Sequence, residues 1–327
     1  MFFPLDQRWG LGTSQYSERL SKQIVWLSSL LPYAQVTQVM ARIGGHAIGQ
    51  ANAWRETQQR GAQLQAEMAR RQAALRPEQI VPTNARQDHD QLKGVSMDGG
   101  MVHVRGEGWK EFKVGVVYDI GVRDGQDVLT GEPAVQPCAE QSHYTAVLGD
   151  VAHFSPALWE LAAAHDLLSA AQSSVTADGA EWIWSLCADI FPDSVQIVDW
   201  YHATQHLATA AQARFPETET QAATWYRQAQ DLLFRGQTWC IIQSLRQAGL
   251  PDLALYFERH QRRMRYHEFR EEGLLIGSGA VESGIKQYKA RLTGPGMRWS
   301  RPGAERMLVL RSAVLSHDFD ALWAAAA

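Results

Sequence analysis

Three acidic residues of this chain stand where a carboxylate has free space in front of it. Asp98 closes the apolar-leaning run Gly94 to Met97 and is followed at once by Gly99 and Gly100. Asp178 closes Ser174 to Ala177, precedes Gly179 and leads into an apolar face of Trp182, Ile183 and Leu186. Glu282 follows Gly277, Ser278, Gly279 and Ala280, small residues that let a ligand or another backbone come close. Open carboxylates suit divalent cations and, through them, phosphates. Each also has a plain structural reading. Asp-Gly is a turn signal, an Asp before a helix is an N-cap, and Glu282 with Lys286 four positions on makes a surface ion pair contributing about 0.3 kcal/mol.

The elements that must position these residues change character along the chain. Leu20, Ile24, Leu27 and Leu31 recur at helical spacing, so Ser17 to about Leu75 is expected to be helical, broken at Pro32 and at Gly44-Gly45. This N-terminal helical segment, residues 1–90, would pack, dimerise or read DNA. A Pro-, Asn-, Asp- and Gln-rich stretch from Arg76 to Gln91 marks a linker. Strands are expected over Gly94–Asp98, Met101–Arg105, Phe112–Tyr118 and Tyr144–Leu148. After them come a helix over Pro156–Ala171, a strand over Ser174–Asp178, a helix over Ala180–Ile190, a strand over Val195–Asp199 and a helix over Tyr201–Phe215. Residues 91–215 thus predict an α/β core with a mixed sheet in RNase H-like order. Residues 216–272 read as a helical insertion, 273–316 as the Glu282 helix with a basic C-terminal part, and 317–327 as a tail.

Composition narrows the class. The 327 residues are 45% hydrophobic and 20% charged, as in ordinary globular proteins, and no apolar run reaches the roughly 18 residues of a membrane span. Met1 to Gly10 lacks the features of a secretory signal, so a cytoplasmic protein is expected. Cys138, Cys187 and Cys240 are too far apart for a metal clamp and read as reduced core residues. A net charge of -4 requires any nucleic-acid contact to come from a local patch. Lys286, Lys289, Arg291, Arg298, Arg301, Arg306 and Arg311 supply one, with Glu305 the only acid between Lys286 and Arg311. Such a stretch would hold phosphates, and Trp299 within it would either stack on an unpaired base or pack in the core.

Several motifs together resemble the bacterial insertion-sequence transposases of the Kra type, in the Mutator-like acidic-triad group. They are Phe3-Pro4-Leu5-Asp6, Ser96-Met97-Asp98-Gly99, Asp178-Gly179-Ala180, Gly277-Ser278-Gly279-Ala280-Val281-Glu282-Ser283 and Arg298-Trp299-Ser300. The resemblance implies a DNA transposase with Asp98, Asp178 and Glu282 as its catalytic, metal-holding triad. It also implies a family motif at Asp199-Trp200-Tyr201-His202, in which Asp199 and His202 support the site. Asp199 is the rival of Asp178 for the second metal position, because it too ends a strand before a helix. His202 and His206, one helical turn apart, could bind a metal together, although such a pair is more often solvated. Longer members of the family carry a preceding segment with cysteine pairs, so a shortened copy is expected here.

Three converging carboxylates repel one another unless cations neutralise them, and Mg²⁺ or Mn²⁺ suits an all-oxygen ligand set. Two ions are expected, with Asp98 bridging both and Asp178 and Glu282 each completing one shell. They would serve cleavage and strand transfer on double-stranded DNA at transposon ends and target. Two DNA ends must be held together, so a homo-oligomer on DNA is expected. Alternatives are an RNase H-like nuclease that uses water alone as nucleophile, and a shortened, inactive DNA-binding remnant. A paired-carboxylate glycosidase leaves the basic run beside Glu282 without a role.

Overall fold

The computed structural model describes residues 16–74 and 91–326. The motif at Phe3 to Asp6 and nearly all of the expected linker lie outside the described residues. Three helices open the chain: α1 (Glu18–Leu30), α2 (Tyr33–Gly44) and α3 (Gln50–Ala74). Ser17 starts α1 by accepting the Leu20 N–H at its Oγ, and Gly45, with φ +65°, ends α2 in the left-handed conformation that glycine adopts without cost.

A five-stranded mixed sheet follows, built from β1 (Leu92–Val104), β2 (Gly108–Gln126), β3 (Pro133–Leu148), β4 (Gln172–Ala177) and β5 (Val195–Val198). Its spatial order is β3-β2-β1-β4-β5. The pairs β1·β2 and β2·β3 are antiparallel, and β1·β4 and β4·β5 are parallel. Parallel neighbours need crossovers, supplied by α4 (Val151–Ala164) between β3 and β4 and by α5 (Glu181–Ile190) between β4 and β5. Helix α6 (Trp200–Arg214) leaves β5 and leads to α7 (Glu219–Phe234), α8 (Thr238–Gln247), α9 (Pro251–His260) and α10 (Tyr266–Glu271). Helices α11 (Gly279–Leu292), α12 (Arg301–Leu315) and α13 (Phe319–Ala326) complete the chain.

The period of two along β1 divides the core. Val95 and Met97 face a layer that includes Phe154, Leu158, Ile183, Leu207 and the insertion residues Leu233, Ile241 and Phe257. Val102 and Val104 face α11 and α12 through Val281, Ile285, Tyr288 and Met307. Asp98 shares its parity with the second set, so the alternation that buries the core also aims this carboxylate to the α11 side, where Glu282 resides.

Several expectations need correction. The two short strands on either side of Gly99-Gly100 are one continuous β1, because both glycines stay in register opposite Lys113 and Phe112. A side chain at Gly100 would collide with the Phe112 ring, so this glycine answers a close approach and not a turn. The helix expected over Pro156–Ala171 starts at Val151, where Asp150 caps it, and contains Pro156. The tail expected over 317–327 is helical from Phe319 to Ala326: Phe319, Leu322 and Trp323 of α13 are buried with Val25 and Leu64 against Val309, Leu310 and Ala313 of α12. The N-terminal helices are thereby docked on the C-terminal ones and share a core with them. Among the described residues, no helix is long and apolar enough to cross a membrane.

Candidate active site

The expected strand-end position of Asp98 is also corrected, and the correction explains its openness. Asp98 pairs with Val114 of β2 in mid-strand, whereas the parallel pairing of β1 with β4 ends at Ser96 opposite Thr176. Asp98 therefore lies just beyond the end of β4, with a strand on one side only. Asp178 is the first residue after β4, and its Oδ1 accepts the Ala180 N–H at 2.9 Å. Gly179 between them has φ +104°, a conformation a side chain would strain. The Asp178 carbonyl receives the Tyr256 hydroxyl of α9 at 3.5 Å, which ties the insertion to the site.

Asp199, the residue after β5, is fully buried and is the N-cap of α6. Its Oδ1 accepts the His202 N–H at 2.8 Å and lies 3.1 Å from His202 Nδ1. Its Oδ2 accepts the Ser278 N–H at 2.5 Å. Ser278 Oγ in turn donates to Glu282 Oε1 at 3.3 Å. Backbone bonds brace the same junction, Asp199 N to the Ala177 carbonyl and Trp200 N to the Ile276 carbonyl. Asp199 thus locks the end of β5, the start of α6 and the entry to α11, and so sets where Glu282 stands.

The electrostatics follow from this packing. Burial raises the Asp98 carboxyl above the usual carboxylate range and the charge of Asp178 adds to it, against the Gly99 N–H and the positive charges of Lys289 and His202. Burial would also raise Asp199, but the hydrogen bonds from His202 and Ser278 overcome it and hold this carboxyl low. The hydrogen bond with Asp199 raises His202, with Asp178 and Glu282 acting in the same sense. Asp199, His202 and Glu282 bring ligand atoms within 4.8 Å of one another, a spacing that could hold a metal ion. Asp98 and Asp178 fall outside that tight group but within electrostatic reach of it. Of the two rivals, Asp199 has both oxygens committed to protein donors, whereas Asp178 has one oxygen so used. His206 stacks on Tyr256 at 3.6 Å between ring centroids, and the close ligand group around His202 consists of Asp199 and Glu282 without it.

The expected DNA-contacting residues separate into two sets. Lys286 and Lys289 on α11 and Arg298 in the following loop are exposed. Arg291 is corrected and Trp299 takes its core-packing alternative: both are buried. Arg291 Nε donates to the Ser28 carbonyl at 2.7 Å, and its guanidinium lies over the rings of Tyr33 and Trp299. Trp299 donates its indole N–H to the Leu292 carbonyl and is stitched by its backbone to His103 and Arg105 at the end of β1. Arg301 is partly exposed, and Glu107 holds its guanidinium in a two-point ion pair. Arg311, which the basic stretch also included, is buried, with Gln287 accepting from its Nη2 at 3.1 Å.

Beside the acidic cluster runs a groove of about 800 Å³ that the sequence did not announce, lined by Tyr201, Gly277, Ser283, Gln136, Arg123 and Arg270. The two arginines come from β2 and α10, elements with no motif of their own. No protein-family model matches this chain, and no curated protein matches it.

Proposed function

We propose that this protein is a DNA transposase of an insertion sequence, with an RNase H-like core, acting by metal-dependent strand cleavage and strand transfer. One observation carries the proposal. Asp98, Asp178 and Glu282, from three segments up to 184 positions apart (282 minus 98), are linked electrostatically: the Asp178 charge raises Asp98, and Asp178 and Glu282 both raise His202. The sheet order β3-β2-β1-β4-β5, with the first three strands antiparallel and the last two parallel to β1, is the order an RNase H-like core requires. The motif resemblance to Kra-type transposases points the same way.

The residues fit divalent metal ions. Like-charged groups converge, Asp98 is held protonated more readily than an ordinary Asp, and each of these costs is relieved by a cation. Asp98, Asp178 and Glu282 would hold Mg²⁺ or Mn²⁺, with His202 within reach of Glu282. When bound, a pair of such ions supplies Lewis-acid activation of a water or a DNA 3′-hydroxyl and stabilises the leaving oxygen. The chain does the rest by positioning. Asp199 fixes His202 and, through Ser278, the Glu282 carboxylate. Lys286, Lys289 and Arg298 offer charge to phosphates without reading sequence. Arg123 and Arg270 would continue that attraction along the groove.

The test is Mg²⁺- or Mn²⁺-dependent nicking and joining of labelled double-stranded DNA carrying the element's ends, comparing the native chain with Glu282→Gln. Joining that disappears in the variant supports a transposase with Glu282 in its metal site. Nicking without joining supports an RNase H-like nuclease, and binding with neither supports a DNA-binding remnant.

A further inference from the structure

Beside the edge strand β3, three potential ligands meet from three separate elements. His143 lies on β3 opposite Val117, beside the irregularity at Val117 and Asp119. His165 follows the last residue of α4, with its N–H on the Leu161 carbonyl. Asp318 precedes α13 and is placed by its N–H on the Ala313 carbonyl at 2.9 Å. One ligand atom of each lies within 4.8 Å of the other two. His143 Nδ1 is 3.3 Å from Asp318 Oδ2, and the two imidazoles stack with centroids 3.5 Å apart.

We propose that His143, His165 and Asp318 bind a transition-metal ion of the zinc class, which clamps the C-terminal helix α13 to the sheet. Metal bonds of about 2.0–2.1 Å place neighbouring ligand atoms of a tetrahedral site about 3.4 Å apart, the separation that His143 and Asp318 already have. Turning both in-plane lone pairs onto one ion requires the rings to tilt out of their near-parallel stack. Two imidazoles and one carboxylate are the donor set of zinc, nickel and copper sites, whereas Mg²⁺ prefers oxygen alone. All three side chains are only partly buried, so water can fill the fourth position. The frame is already rigid: Tyr144 N–H donates to Ser316 Oγ at 2.7 Å, next to His143 on one side and two residues before Asp318 on the other. This site shares no residue with the acidic cluster and does not depend on the transposase reading.

The experiment uses the full chain, stripped with a chelator and carrying His202→Gln and Glu282→Gln so that the acidic cluster does not compete. Zn²⁺ is titrated by calorimetry and by thermal melting, with Mg²⁺ as control. One equivalent of Zn²⁺ should bind, and at a concentration one hundred-fold above Kd the folded-to-unfolded ratio should rise about 100-fold. Mg²⁺ should leave the melt unchanged. Adding His143→Gln or Asp318→Asn should abolish the response, and Asp318→Asn, at a half-exposed position, keeps the test open if the His143 variant does not fold. Co²⁺ should give the intense visible bands of a tetrahedral site. Absence of Zn²⁺ binding, or binding that survives both substitutions, would falsify the clamp and leave His143 and Asp318 a simple ion pair.

Discussion

Helix α11 has two faces that both carry a basic residue and put it to different use. Glu282, Lys286 and Lys289 follow at steps of four and three along one side, partly or fully exposed. Val281, Ile285, Tyr288, Leu292 and the equally cationic Arg291 lie on the other, buried against the sheet and the N-terminal helices. On the first face charge is available to a ligand. On the second it is consumed: a hydrogen bond to Ser28 and two aromatic rings surround one guanidinium. A charged residue near a site is thus assigned by the face it occupies, and substitution should separate chemistry from stability along this one helix.

The sharpest break is Glu282→Gln. It keeps the size of the side chain and an acceptor for Ser278 while removing the charge that a cation needs. Metal ligation stabilises a phosphoryl-transfer transition state by several kcal/mol, so DNA cleavage should fall by more than about 100-fold. The melting temperature without metal should not fall, because a like charge leaves a cluster of acids. Steady-state nicking rates beside thermal melts would measure both, and a variant that still cuts at the native rate ends the triad assignment.

Arg291→Met should do the reverse. The substitution leaves the Ser28 carbonyl without its donor and the Tyr33 and Trp299 rings without their cation, at a cost of about 2–4 kcal/mol. Denaturant midpoints should drop accordingly, while DNA affinity well below the melting temperature stays native.

How much of this was legible beforehand depended on periodicity. The order of strands and helices from Gly94 to Phe215 follows from apolar spacing, whereas β2 and β3 run well beyond the expected Phe112–Tyr118 and Tyr144–Leu148. Burial of polar and charged residues has no such signal. Nothing in the local sequence tells Arg291 from Lys289, because what distinguishes them is Tyr33 and Ser28, more than 250 positions away. Gly99-Gly100 reads as a turn until Phe112 is known to lie across it. The eight residues of α13 are too short and alanine-rich to show a period, yet Phe319, Leu322 and Trp323 at steps of three and one do mark a face. Asp199 could have been weighed more heavily. An Asp with a His three positions on, at a strand-to-helix junction, has the spacing of an N-cap whose carboxylate can also meet the imidazole, which is what the structure forms.

Smaller effects sharpen the comparison on the exposed face. Lys289→Ala and Arg298→Ala should each weaken DNA binding to a similar degree across unrelated sequences. Each should also reduce the slope of log affinity against log salt by about 1, since one phosphate contact is lost. Arg291→Met should leave that slope unchanged. Binding isotherms over a range of salt would decide it, and equal slopes for all three variants would mean that α11 is not a DNA-facing element.

The smallest effect concerns the insertion, where a buried histidine adds a pH dependence of its own. His260, at the end of α9, is depressed to about 4, first by burial and then by Arg263 and Arg259, with Asp178 opposing. An unfolded chain has this imidazole near 6.5, so between those values the unfolded state binds a proton that the folded state refuses. The sign follows: the contribution is fully present above about pH 6.5 and is lost as pH falls toward about 4. His260→Gln should therefore flatten the fall in denaturant midpoint between about pH 7 and about pH 5, without touching the part due to other groups. Since His260 neighbours Tyr256, which holds the Asp178 carbonyl, acid should loosen the insertion's hold on the site before the sheet itself unfolds. An unaltered pH profile in the variant would show that His260 does not carry this dependence.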